Sequence, residues 1–168
     1  NFTVNGGTFD LAGNDFGTTL DGKTNSLGGG TLVNSASTVS KIWSNTFNVV
    51  GNSTISTPNV GGDIDLSNAS QINGDTTLRT LTKTGSGDLH LVNSYTTATT
   101  KLDFNIDVLS GNLKYDSTKN VGGFSGIYSL AAGSTLYMNA ATQITGFPGK
   151  ITGAGAVVIN ANSSLSGA

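Results

Sequence analysis

The chain has 168 residues, of which 36% are apolar, 7% aromatic and 11% charged, with a formal net charge of −2. That balance removes the electrostatic basis for nucleic-acid binding, which needs a basic surface to displace phosphate counterions. Cysteine is absent, so disulfides and thiolate metal sites are excluded as well.

The length suits one domain, residues 1–168, but so thin an apolar fraction suits a long, narrow core better than a globular one. Twenty-four glycines, abundant Ser, Thr and Asn, and only two prolines describe a chain that turns often, using residues that tolerate positive φ or bond their own backbone. All ten acidic residues are Asp, which favours turns and caps, where Glu favours helices. No window sustains apolar residues at i, i+3, i+4 and i+7, so helix beyond a turn or two is not expected. No apolar run approaches the ~20 residues of a membrane-spanning helix, so membrane insertion of this segment is not expected either. The chain opens inside an apparent strand, Phe2-Thr3-Val4, without an initiator Met, and reads as a piece of something longer or a processed form.

Gly-led strands recur along the chain. They are Gly6-Gly7-Thr8-Phe9-Asp10-Leu11, Gly28-Gly29-Gly30-Thr31-Leu32-Val33-Asn34, Gly85-Ser86-Gly87-Asp88-Leu89 and Gly153-Ala154-Gly155-Ala156-Val157-Val158-Ile159. The Gly-x-Gly corners at residues 28, 85 and 153 are separated by 57 and 68 residues, about three coils each at ~20 residues per coil. A second pattern, apolar-x-apolar with a third apolar residue six positions on, occurs as Phe47/Val49/Ile55, Ile64/Leu66/Ile72, Leu136/Met138/Ile144 and Val157/Ile159/Leu165. Three copies place Gly two residues later, at Gly74, Gly146 and Gly167. A strand of this kind points two side chains inward, a small polar corner follows, and the next strand adds a third.

The pattern predicts an all-β fold, a right-handed parallel β-helix (β-solenoid) of about eight coils of roughly 17–24 residues. Such a rod is on the order of 40 Å long. The handedness follows from the rule for parallel crossovers. The inward residues are expected to be Phe47, Val49, Ile55, Ile64, Leu66, Ile72, Leu89, Leu91, Leu136, Met138, Ile144, Val157, Ile159 and Leu165. The polar stretches Asp15 to Ser26, Tyr95 to Thr100 and Asp116 to Gly123 lack periodicity and are expected to bulge as loops. Neither end carries charged or Pro-bearing capping sequence, so flanking coils or end-to-end self-association are expected to cover the terminal strands.

Leu81-Thr82-Lys83-Thr84-Gly85-Ser86-Gly87-Asp88-Leu89-His90-Leu91-Val92-Asn93, continued through Tyr95, Thr99, Thr100 and Gly111-Asn112-Leu113, resembles the passenger-associated repeat of bacterial autotransporters. The resemblance covers roughly Leu81 to Leu113. It implies a non-catalytic structural or adhesive segment of an extracellular protein at a bacterial cell surface. Its partners would be a glycan or a host or neighbouring-cell surface, and no cofactor is implied. The alternative is a carbohydrate-active β-helix enzyme such as a polysaccharide lyase.

Several residues carry conceivable chemistry. Asp88 and His90, two apart on a strand, share the outer face; a Ser-His-Asp or metal arrangement is conceivable there, but a solvated face is the preferred reading, since alternation alone accounts for both residues. Asp63 and Asp65 likewise share a face, with Arg79 and Lys83 nearby in sequence as candidate bases of a lyase. Two carboxylates fall short of a calcium shell, so no metal is expected there and surface charge is the preferred reading. Trp43 and Tyr95 are the candidate ligand-binding aromatics, followed by Tyr115, Tyr128 and Tyr137. A single Thr96-Thr97-Ala98-Thr99-Thr100 run does not make an ice-binding face, which needs its motif in every coil. No catalytic residue is assigned.

Overall fold

The computed structural model describes residues 1–16, 23–43, 46–67, 71–75, 77–93, 103–117, 126–139, 144–145, 150–160 and 165–166. Chain order gives β1 (Thr3–Val4) and β2 (Thr8–Asp10), then β3 (Thr24–Gly28), β4 (Thr31–Val33) and β5 (Ser40–Trp43). The next round is β6 (Thr46–Gly51), β7 (Ser53–Ser56) and β8 (Ile64–Ser67), followed by β9 (Gln71–Gly74), β10 (Thr80–Thr84) and β11 (Asp88–Asn93). After these come β12 (Asn105–Val108), β13 (Asn112–Ser117), β14 (Ile127–Leu130), β15 (Thr135–Met138), β16 (Ile144–Thr145), β17 (Lys150–Gly153), β18 (Ala156–Ile159) and β19 (Leu165–Ser166).

Among the described residues no strand pairs with its chain neighbour. Sheet I has the order β1-β3-β6-β9, sheet II β17-β14-β12-β10-β7-β4-β2, and sheet III β18-β15-β13-β11-β8-β5, while β16 pairs with β19. Every pairing is parallel, and no helix occurs among the described residues. The fold is therefore a β-solenoid, in which each coil stacks on the one before and only the stack buries a core.

The coil is longer than expected and the coils are fewer. Along sheet II the column Thr8, Thr31, Thr54, Thr82, Asp107, Ser129, Thr152 steps by 23, 23, 28, 25, 22 and 23 residues, against the ~20 assumed from the sequence. Six coils carry both a sheet II and a sheet III strand from β4–β5 to β17–β18, so about five turns separate first from last, not eight coils. Seven strands of sheet II at ~4.8 Å spacing reach about 29 Å.

The sequence motifs recur at different corners of the coil, which is why their spacing misled the count. The Gly28 corner joins β3 to β4, between sheets I and II, whereas the Gly85 and Gly153 corners join sheet II to sheet III. Only the last two are equivalent, and three coil steps (β10 to β12 to β14 to β17) separate them. Likewise Phe47/Val49/Ile55 spans sheets I and II, whereas Ile64/Leu66/Ile72 begins on sheet III and ends on sheet I. Gly85 and Gly153 are required where they stand: their φ values are +86° and +102°, and a Cβ would lie 2.2 Å from the Thr57 carbonyl oxygen or 2.1 Å from that of Leu130.

The interior is one apolar column. Phe47, Val49, Ile55, Ile64, Leu66, Leu89, Leu91, Leu136 and Met138 are buried in it, together with Leu32, Ile42, Leu81, Ile106, Val108 and Leu113. Tyr115 and Tyr128 also lie within it, fully buried, so neither offers a ring to a ligand at the surface. Val157 and Ile159 depart from the expected set at 39% and 44% exposure. They continue the columns of Leu136 and Met138, but β18 is the last strand of sheet III among the described residues, so no further strand of that sheet stacks on it there. The side chains of Ile72, Ile144 and Leu165 lie outside the described residues.

At the other end, Phe2 stacks on Phe9 at 5.5 Å between ring centroids, and Phe9 tilts against Phe16 at 6.0 Å. Phe2 and Phe16 pack against the core, so the first coil, expected bare, carries a three-ring cluster. Of the expected loops, Thr24 to Ser26 belong to β3 and Asp116 and Ser117 to β13. Asn25 and Tyr115 face inward, and the polar side chains of Thr24, Ser26 and Asp116 alternate with them, a strand pattern too short to show periodicity. Residues 95–100 lie outside the described set.

Candidate functional site

Alternation on sheet III sends Ile64, Leu66, Leu89, Leu91, Leu113 and Tyr115 into the core, so the residues between them face out. Parallel stacking then aligns what sequence separates: Asp65 pairs with His90, and His90 with Lys114. Asp63 precedes β8 and Asp88 opens β11, while Asp116 lies two residues beyond Lys114 on β13. Four carboxylates, one imidazole and two ammoniums, those of Lys41 and Lys114, thus share one face.

His90 is the centre. Its Nδ1 lies 3.1 Å from Asp116 Oδ2 and 3.7 Å from Asp65 Oδ1. Its Nε2 lies 3.8 Å from Asp63 Oδ2 and 3.9 Å from Asp88 Oδ2, is buried, and has no hydrogen-bond partner. The carboxylates are held from behind. Asp63 Oδ1 accepts the Asp88 backbone N–H at 2.8 Å, Asp88 Oδ1 accepts from Asn112 Nδ2 at 2.7 Å, and Asp116 Oδ1 accepts from Asn139 Nδ2 at 2.7 Å. Lys114 Nζ donates to Asp88 Oδ2 and lies 5.8 Å from the Tyr137 ring centroid.

These contacts move the acidities. Burial pulls the His90 imidazole down, but the Asp116 hydrogen bond and the charges of Asp65 and Asp116 outweigh it, so the net shift is upward. Burial raises the Asp65 carboxyl despite His90 and Lys41. The His90 hydrogen bond lowers Asp116, and the Asp88 hydrogen bond raises Lys114. Chemically, the face can bind a cation or hold a proton on His90. Asp63, Asp88 and His90 present ligand atoms within 4.8 Å of one another.

The structure disperses the other sequence candidates. Arg79 bonds Asp75 through both Nε and NH2, the latter at 2.9 Å, so it belongs to a local ion pair four residues long. Lys83 faces inward, fully buried, with Nζ donating to the carbonyls of Thr84, Gly85 and Ser110 at 3.0, 3.0 and 3.1 Å. Neither side chain joins the outer face of sheet III that carries Asp63 and Asp65. Trp43 ends β5 on sheet III, its side chain outside the described residues, and Tyr95 lies outside them altogether. Lys114 and Asp116 were missed as site residues. Their signal was spacing: Asp65, His90 and Lys114 are 25 and 24 residues apart, one coil each.

Comparison with protein-family models, with curated proteins and with solved structures gives no match to this chain.

Proposed function

We propose that the chain is a non-catalytic structural or adhesive segment of an extracellular bacterial surface protein, similar to an autotransporter passenger stalk, coiled in the right-handed sense. The observation that supports this reading is the unbroken parallel register of sheets II and III, through seven and six strands. A stack of that kind is a stiff spacer whose side faces can each present residues from every coil. The right-handed sense follows from the strong chiral preference of parallel crossover connections. Partners in this reading are a glycan or a neighbouring cell surface, or further solenoid coils meeting the terminal strands end to end.

The outer face of sheet III supports a second reading, a carbohydrate-active enzyme, because carboxylates grouped around a histidine can transfer protons at a sugar. Incubation with uronate-containing polysaccharides separates the two. The stalk reading expects no turnover, and none lost on Asp63→Asn or Asp65→Asn. Turnover that falls in those variants would replace it with the enzyme.

A further inference from the structure

We propose that Asp63, Asp88 and His90 form a binding site for a divalent transition-metal ion of the zinc type, on the outer face of sheet III and independent of the stalk reading.

The donor set is two carboxylate oxygens and one imidazole nitrogen, a combination suited to zinc and its neighbours rather than to calcium or magnesium, which favour shells of oxygen. The three atoms already converge. His90 Nε2 is 3.8 Å from Asp63 Oδ2 and 3.9 Å from Asp88 Oδ2. Ligands at ~2.0–2.1 Å in tetrahedral array stand about 3.4 Å apart, so the two pairs that include Nε2 close by about half an ångström each, and the two carboxylate oxygens start within 4.8 Å of each other.

The imidazole points to a ligand independently of the carboxylates. Nε2 is buried, with no hydrogen-bond partner, a state that costs free energy unless something else occupies the nitrogen. The opposite nitrogen, Nδ1, is engaged by Asp116, and a carboxylate behind a histidine is the arrangement that holds the ring and its tautomer for a metal on the far side. Asp116 is fixed by Asn139, Asp88 by Asn112, and Asp63 by the Asp88 amide. Each of the two ligand carboxylates therefore has Oδ1 engaged and Oδ2 turned toward the imidazole. Lys114 Nζ takes Asp88 Oδ2, standing where the cation would neutralise the same charge. Its side chain is 28% exposed and has solvent to swing into, so Lys114 is a competitor for the site rather than a part of it.

Zinc chloride titrated into the metal-stripped protein by calorimetry is expected to show one saturable site, and cobalt chloride a visible absorption band of the bound ion. His90→Ala and Asp63→Asn abolish both signals while far-UV circular dichroism shows the fold retained. Asp116→Ala weakens zinc binding about 10–100-fold by freeing the ring. Asp107→Asn, on the outer side of sheet II, removes a charge elsewhere and leaves binding unchanged. Lys114→Met tightens binding, an outcome that general attraction to acidic surface does not distinguish by itself but that, with loss in His90→Ala, isolates this site. Absence of saturable zinc binding, calcium binding as tight as zinc, or full binding in folded His90→Ala each overturns the proposal.

Discussion

The Lys83 ammonium lies 3.1 Å from the carbonyl oxygen of Ser110, one coil further along the solenoid. It stands in an inner column, between Ile55 and Val108, where every other coil places an apolar residue or glycine. The stem fills the column and the head is spent on the carbonyls of the Gly85 corner.

That burial makes stability depend on pH in a defined direction. Burial holds the Lys83 ammonium down to about 8 from its ordinary 10.5, with Asp88 and Asp63 opposing. Between those values the unfolded chain binds a proton that the folded one does not, so stability rises with pH from about 8 to 10.5. It is lost again as pH falls through 8. Urea denaturation across that range is expected to show the rise in the wild type and a flatter profile in Lys83→Met; equal slopes would show that another group carries it.

Leu66 is buried on sheet III between Ile42 and Leu91. Leu66→Ala is expected to destabilise by about 2–5 kcal/mol, since a column one side chain wide has little freedom to collapse around the gap. Leu66→Asp is expected to prevent folding, because a carboxylate there meets only apolar walls. Circular dichroism and size-exclusion elution check both, and a folded Leu66→Asp would contradict the column.

Gly85 and Gly133 both have positive φ, +86° and +83°, but a Cβ at Gly133 meets nothing within 4 Å. Gly133→Ala is expected to cost about 1–2 kcal/mol, from the left-handed backbone alone. Gly85→Ala adds a collision with the Thr57 backbone, whose carbonyl oxygen lies 2.2 Å from the new atom, and is expected to lower Tm by clearly more. Equal shifts in thermal denaturation would show that the corner relaxes freely.

The kind of fold, and the inward side of most strands, are legible in the amino-acid order alone. Alternation in Asp63-Ile64-Asp65-Leu66 and Asp88-Leu89-His90-Leu91 is local, set by the two-residue period of an extended chain, and glycine at positive φ marks a corner wherever it occurs. Tertiary stacking alone decided which corner each glycine serves, and hence the coil length. The same Gly-x-Gly grammar turns the chain from sheet I to II at Gly28 and from sheet II to III at Gly85. Stacking also decided the site. Asp65, His90 and Lys114 meet only because inter-strand hydrogen bonds fix a register of 25 and 24 residues, and a register is a property of two strands together. Lys83 reads as surface charge by its chemistry. It is buried with two carbonyls of its own corner and a third, that of Ser110, from the next coil around its ammonium, and that third partner is not contained in any single strand.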